Sequence, residues 1–265
     1  MVNEVSVNSD IASYPAITSP TDLTSHYLPP PTLSLSVYPS YQRPRVTMAA
    51  PQTKTIKDLN GKWVMVCLPS RASPLSSHKP TNTPMQNKTQ STSVEPGLAL
   101  QGVGWVTRKA VSMATLTLHV KQYNAPPSPP ADPSSAEVTH IEIEQTGTGG
   151  LKGSTEKRCL DYTFREHSDW LFGSVRGQSR WIAPGEIHDA YLKGEGLWLE
   201  GDAEAGGPNG ETHVLSHVES VDNGWTATQI WGFQLVDGER KHVRHIVIAK
   251  GSDRVQLKLV YDFFE

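Results

Sequence analysis

At 265 residues with a net charge of −3 and 37% apolar residues, the chain has room for one domain or at most two, and too little apolar material to pack throughout. No run approaches the roughly 18 uninterrupted apolar residues of a membrane span, the N-terminus lacks the basic start and apolar stretch of a secretory signal, and no basic block suits a phosphate backbone. Cys67 and Cys159 make neither a disulfide framework nor a Cys/His cluster of metal-ligand spacing, so the expectation is a cytoplasmic protein with no nucleic-acid partner and no integral membrane association.

Residues 1–47 are rich in Ser, Pro and Thr and hold no sustained period, which predicts a disordered N-terminal extension ahead of a barrel domain at 48–265. The segment MAAPQTKTIKDLNGKW, opening at Met48, reads like the natural start of a small domain. A first strand is predicted over 62–66 after a turn at Asn60-Gly61, and the sequence VCLPSRASPLSSHKPTNTPMQ, residues 66–86, interrupts it. A structureless stretch of that length runs against the short connections of compact domains. Its Val-Cys start is what a GTATGT splice donor would encode in this frame and its Gln end what a CAG acceptor would encode, so it reads as a retained short intron or as a tolerated surface insertion.

Residues 95–113 predict two short helical pieces broken at Gly102 to Gly104, anchored by Leu98, Val103, Val106, Ala110 and Met113 and forming a lid. Beyond them the period changes to alternation. Leu116, Leu118 and Val120 share one strand face, followed by a Pro-rich loop insertion at 125–136. Thr139, Ile141, Ile143 and Gln145 share a face in the next strand, and Arg158, Leu160, Tyr162 and Phe164 in another. A shorter strand is predicted over 171–182. Residues 183–211 form a second loop insertion, with a short helix around Ile187, Tyr191 and Leu192 and a Gly-rich acidic loop. Strands over 213–221, 225–236 and 243–250 follow, joined by hairpin turns at Asp222-Asn223-Gly224 and Asp237-Gly238. A last strand carries Val255, Leu257, Leu259 and Tyr261 on one face. The pattern is all-β, an antiparallel up-and-down barrel with a short helix-turn-helix lid after the first strand.

Several of these segments resemble a known family. NGKW is similar to the G-x-W start of lipocalins and fatty-acid-binding proteins. LQGVGWVTRKAVSMATLTL, residues 100–118, resembles the lid of the cytosolic fatty-acid-binding proteins, and HVLSHVESVDNG, TATQIWGF, VRHIVIAKG and LVYD resemble that family's last four strands. The chain is also similar to small lipocalin-like proteins of filamentous fungi. The resemblance implies a clam of about ten strands around a cavity for a small hydrophobic molecule. It also implies a carboxylate clamp, an Arg-x-Tyr in the last strand with a second arginine two strands earlier. Tyr261 matches the tyrosine, Leu259 stands at the arginine position, and the second arginine falls near Trp231-Gly232.

Polar and aromatic residues on otherwise apolar strand faces are the ligand-binding candidates, because a barrel interior is mostly apolar with a few placed polar groups. They are Gln145, Arg158, Tyr162, Trp231, Phe233 and Tyr261. Arg158 either anchors an anionic or carbonyl-bearing ligand or lies at the barrel rim paired with a carboxylate. Trp231 and Phe233 either stack on a planar or polyene ligand or fill the core, and Trp63 reads as core. His242 and His245 are three apart, which sends them to opposite strand faces and precludes joint metal binding. His213 and His217 read as a solvated face. No catalytic triad or phosphate loop is present in the pattern, and no cofactor and no metal are expected.

The leading functional expectation is an intracellular carrier for a small hydrophobic molecule such as a lipid, polyketide or terpenoid. The alternative is a cofactor-free lipocalin-like cyclase or isomerase of fungal secondary metabolism, a pericyclase type, acting on a polyene or polyketide. A third class, an interaction module with a filled barrel, predicts no cavity.

Overall fold

A computed structural model of the chain describes residues 49–66, 90–150 and 152–264. The expectations placed on residues 1–47 and on Cys67, and nearly all of the segment read as an insertion at 66–86, lie outside the described residues.

Alternating apolar positions produce ten strands: β1 Gly61–Met65, β2 Leu116–Ala125, β3 Val138–Gly147, β4 Lys152–Cys159, β5 Arg165–Asp169, β6 Gly173–Ile182, β7 His213–Ser220, β8 Thr226–Val236, β9 Glu239–Lys250 and β10 Asp253–Phe263. Two helices, α1 Glu95–Leu100 and α2 Trp105–Met113, lie between β1 and β2, and a third, α3 Ala190–Lys193, lies between β6 and β7. All neighbours are antiparallel, in the order β4-β3-β2-β1-β10-β9-β8-β7-β6-β5. β1 therefore joins the two halves, and β4 and β5 are the edges of a nearly closed barrel with one slot between them. At the β8–β9 turn, Asp237 and Gly238 both have positive φ, 55° and 80°, the backbone that an Asp-Gly hairpin supplies.

Register settles the inner face, because residues directly opposite in an antiparallel pair point to the same side. Leu118 lies opposite Trp63, and Trp63 opposite Phe263. Further round, Leu259 lies opposite Arg244, Arg244 opposite Trp231, and Trp231 opposite Val214. This face builds a lower core of Ile56, Leu59, Trp63, Ile141, Phe233 and Tyr261, and an upper apolar layer of Val175, Val218, Trp225, Ile246 and Leu257. The opposite face of β8 to β10 is also apolar, and residues of the 183–211 insertion cover it, with Ile187, Leu192 and Trp198 packed on Ile230, Val243 and Val247.

Three sequence expectations are corrected. The strand expected to run through Leu160, Tyr162 and Phe164 ends at Cys159. The chain turns at residues 160–162, with Tyr162 at φ 59°, and a separate β5 follows. β4 has no partner on its far side, so nothing prolongs it past that turn. In α2 the anchor is Val111, whereas Val106 and Met113 are 73% and 84% exposed and Ala110 also faces out, because the lid touches the barrel along a narrow stripe. Finally, His213 is fully buried instead of solvated, since Trp198 of the insertion packs edge-on against it at 5.0 Å.

Beneath the lower core, Arg240 ties three segments together. It is bidentate to Glu204 at 3.1 and 2.6 Å, donates to the carbonyls of Pro51 and Lys54, and lies 3.8 Å from the Phe233 ring centre. Removing one member of a buried ion pair strands the other's charge. Arg240→Met is therefore expected to destabilise the fold by about 3–5 kcal/mol in urea unfolding, and Arg240→Met with Glu204→Leu to recover much of that loss.

Candidate functional site

A cavity of about 550 Å³ runs from beneath the lid and the upper layer out through the slot beside β4. Beneath the lid its walls are apolar, with Leu98 and Val111 above and Leu118, Val218, Ile246 and Leu257 around it. The lid sits close because α1 presents a glycine: a Cβ on Gly97 would lie 2.7 Å from Ile248 Cδ1 and 2.9 Å from Leu257 Cδ1. An ion pair of 2.9 Å between Lys109 and Glu95 ties α2 to α1.

One polar layer crosses this cavity. Glu156 and Arg158 enter from β4, Gln145 from β3, Gln229 from β8, Arg244 from β9 and Tyr261 from β10. Glu156 Oε1 accepts from Gln145 Nε2 at 2.6 Å, and Glu156 Oε2 lies 3.1 Å from Arg158 Nη2 and 3.8 Å from Arg244 Nη1. The Arg244 guanidinium lies over the Trp231 ring, 3.9 Å from its centre, and 5.3 Å from the ring centre of Tyr261. Trp231 Nε1 in turn donates to Gln229 Oε1 at 2.9 Å. Arg158 reaches across the slot: its Nη1 would stand 3.5 Å from a Cβ on Gly177 of β6, a position that has none.

Burial pushes the Glu156 carboxyl up, but Arg158 and Arg244 beside it, with hydrogen bonds from Arg158 and Gln145, outweigh burial and hold it below its ordinary value. It is an anion at neutral pH. Two guanidiniums thus face one carboxylate, and the Nε atoms of both Arg158 and Arg244 are buried without a hydrogen-bond partner. Such an arrangement can hold an acceptor oxygen of a guest and stabilise negative charge on it.

The cavity continues past the edge of β4 to the outer face of the sheet. There His140 stacks on Tyr123 with ring centres 5.2 Å apart, and Tyr123 donates to Glu142 at 2.8 Å. Among the described residues no group of three or more His, Cys, Asp or Glu could hold a metal ion, and no helix is long and apolar enough to cross a membrane.

No protein-family model matches the chain. The curated "Probable pericyclase scpY" of Mollisia scopiformis is 31% identical over 217 residues, covering 81% of this chain and 94% of that protein. The chain belongs to this pericyclase family. "Pericyclase pydY" of Acremonium sp is 32% identical over 173 residues, covering 64% of this chain and 84% of its own length. Similar solved structures include a Schistosoma mansoni fatty acid binding protein in complex with arachidonic acid, at TM-score 0.41 and 12% identity over 78% of this chain and 96% of that one. Secretory abundant heat soluble protein 4 from Ramazzottius varieornatus gives TM-score 0.40 and 8% identity over 80% of this chain and 99% of that one.

In this pericyclase-family barrel, Gln145, Arg158 and Tyr261 line the cavity together. The other three residues singled out from sequence stand elsewhere. Tyr162 is 47% exposed on the outside, under the Arg180 guanidinium. Trp231 and Phe233 face inward, but Arg244 covers the Trp231 ring and Arg240 that of Phe233, so neither lines the cavity. Sequence reading missed Glu156 and Arg244. Glu156 lies one same-face step before Arg158, ahead of where that strand was expected to bear its pattern. Arg244 belongs to the alternation His242, Arg244, Ile246, Ile248, a signal hidden by treating HVRH only as a histidine pair. Register also resolves the broken clamp: Arg244 lies directly opposite both Leu259 and Trp231, so a cation enters that layer from the strand between the two positions where the resemblance places arginines.

Proposed function

We propose that this chain is itself a pericyclase, closing a ring in a small hydrophobic polyene held inside the barrel. The observation that carries the reading is the polar layer set among the apolar walls of the lidded part of the cavity, in a chain of a family whose curated members are named pericyclases. A pericyclic closure is an isomerisation. π bonds are exchanged for σ bonds around a ring of atoms, nothing is added or lost, and the chemistry calls for no cofactor.

Two effects remain for the protein to supply. The cavity walls restrict the chain to the folded conformers in which the reacting carbons meet, replacing entropy otherwise lost on the way to the transition state. Arg158 and Arg244 donate to a carbonyl conjugated with the reacting π system and stabilise the charge that builds on it, in a site where water competes little. Gln145 and Tyr261 complete the layer around that oxygen. Composition supports a cytoplasmic location without a nucleic-acid partner as part of the same reading.

The test is incubation of the purified protein with linear polyenes extracted from its source. The expected result is a ring product of unchanged mass, formed without added metal or cofactor. Quenching of tryptophan fluorescence with recovery of the unaltered polyene would instead favour a carrier.

A further inference from the structure

We propose that the molecule held in the barrel is a polyene chain with an uncharged polar group beyond its carbonyl, that this group lies in the slot between β4 and β5, and that Gly177 lets it pass. This placement rests on the reading above for the chain under the lid and the carbonyl at the polar layer, and holds whether or not the bound molecule reacts.

Gly177 is the decisive residue. It faces inward from β6 with Val175 and Ser179, lines the cavity and is partly exposed. Its ladder partners are Val218 of β7 and Arg165, the first residue of the edge strand β5, so it stands where the inner wall meets the slot. The backbone does not call for glycine here, because φ is not positive. Nor do the neighbours: a Cβ would meet Val218 Cγ2 at 3.4 Å and Arg158 Nη1 at 3.5 Å, both ordinary contacts. Arg158 therefore does not need the space. Glycine inside a strand weakens it and marks the close approach of a ligand or of another backbone. The one backbone atom among its three nearest neighbours, the His217 carbonyl oxygen, is also at 3.5 Å, so the approach left to explain is that of a guest.

The slot beyond Gly177 suits a polar group without charge. Among the described residues no ladder joins β4 to β5, and the cavity runs out between them. Thr155 and Lys157 line one side, and Thr163, Glu166 and His167 the other, which puts donors and acceptors together. The whole lining carries as many acidic as basic side chains, so no net charge draws an ion of either sign. Under the lid the same group would lie against apolar walls without a partner, a costly burial.

The test measures binding by tryptophan quenching, without turnover, using amides of one conjugated long-chain polyenoic acid. The short probe is the primary amide. The long probe is the glycinamide, which adds a second uncharged amide beyond the carbonyl. The unmodified protein is expected to bind the long probe at least as tightly as the short one. G177V should weaken the long probe about tenfold and leave the short one within about twofold. H167W, which adds bulk at the exposed rim of the slot, should act in the same way to a smaller degree. The corresponding N-acylglycine acid should bind no more tightly than the glycinamide.

Weaker binding of the long probe than of the short one by the unmodified protein overturns the proposal and leaves the cavity reading intact. Tighter binding of the acid, or an equal effect of G177V on both amides, does the same. Binding of neither amide overturns the cavity reading as well. If G177V fails to fold by circular dichroism, H167W decides alone, because its effect must fall on the long probe and spare the short one.

Discussion

Arg244→Met is expected to slow ring formation about 100-fold while leaving the barrel folded. Both halves follow from what surrounds the guanidinium. Its contribution to the reaction is a preset donor: the side chain is packed on Trp231 at 3.9 Å, so no reorganisation is needed as charge develops on the substrate oxygen. Met keeps most of the volume and the contact with the indole, and removes the charge and donors. The fold tolerates the change because Glu156, the carboxylate nearest Arg244, keeps its bonds to Arg158 at 3.1 Å and to Gln145 at 2.6 Å and is not stranded. Arg158→Met is different, since it takes away the hydrogen-bonded partner of Glu156 and is expected to lower stability as well as rate. The measurement is kcat/KM for the cyclised polyene beside a thermal melt of each variant. An unchanged rate in a folded Arg244→Met protein removes Arg244 from the mechanism.

The architecture was legible in the sequence wherever one periodicity dominated. β2 and β3 alternate cleanly, β8 and β10 carry apolar residues on both faces, and Asp237-Gly238 marks its hairpin without ambiguity. His242 and His245 do point to opposite faces, the first against Trp63 inside and the second against Trp198 outside. The site was half legible. A polar residue on an apolar face is visible along one strand, which is how Gln145, Arg158 and Tyr261 stand out, but a polar layer is assembled across strands by register. That Arg244 sits beside Leu259 and Trp231 depends on two ladders that the sequence does not state. Tyr162 was misplaced because alternation was carried through a turn, where a positive φ resets the face. His213 was misread because its cover, Trp198, comes from an irregular insertion with no period to follow.

Acidification from pH 6.5 to 4 is expected to weaken this protein by several kcal/mol, chiefly through buried histidines. Burial, with a smaller contribution from His245, lowers the His213 pKa to about 4. Its Nδ1 meets Thr212 Oγ1 at 2.7 Å, while Nε2 has no partner to hold a proton. Burial also lowers His245, against a hydrogen bond to the Tyr191 carbonyl, and lowers His242 well below the usual range, with Arg244 adding to the effect. The sign is the same for all three. Below the unfolded value near 6.5, the unfolded chain takes protons that the folded one refuses, so stability falls as pH drops and the loss from His213 ends near pH 4. For that residue the loss amounts to roughly 3 kcal/mol. Glu156 works in the same direction lower down, because its stabilisation is present above the ordinary carboxyl range and disappears as pH falls through its depressed value. The place of first failure is also specified. His213 and His245 lie between β7–β9 and the insertion that carries Tyr191 and Trp198, so protonation should release that insertion before the barrel opens. Urea unfolding at a series of pH values, with hydrogen exchange over residues 183–199, reads both effects. His213→Leu should flatten the slope between pH 6.5 and 4, and an unflattened slope would show that His213 is not held neutral in the folded protein.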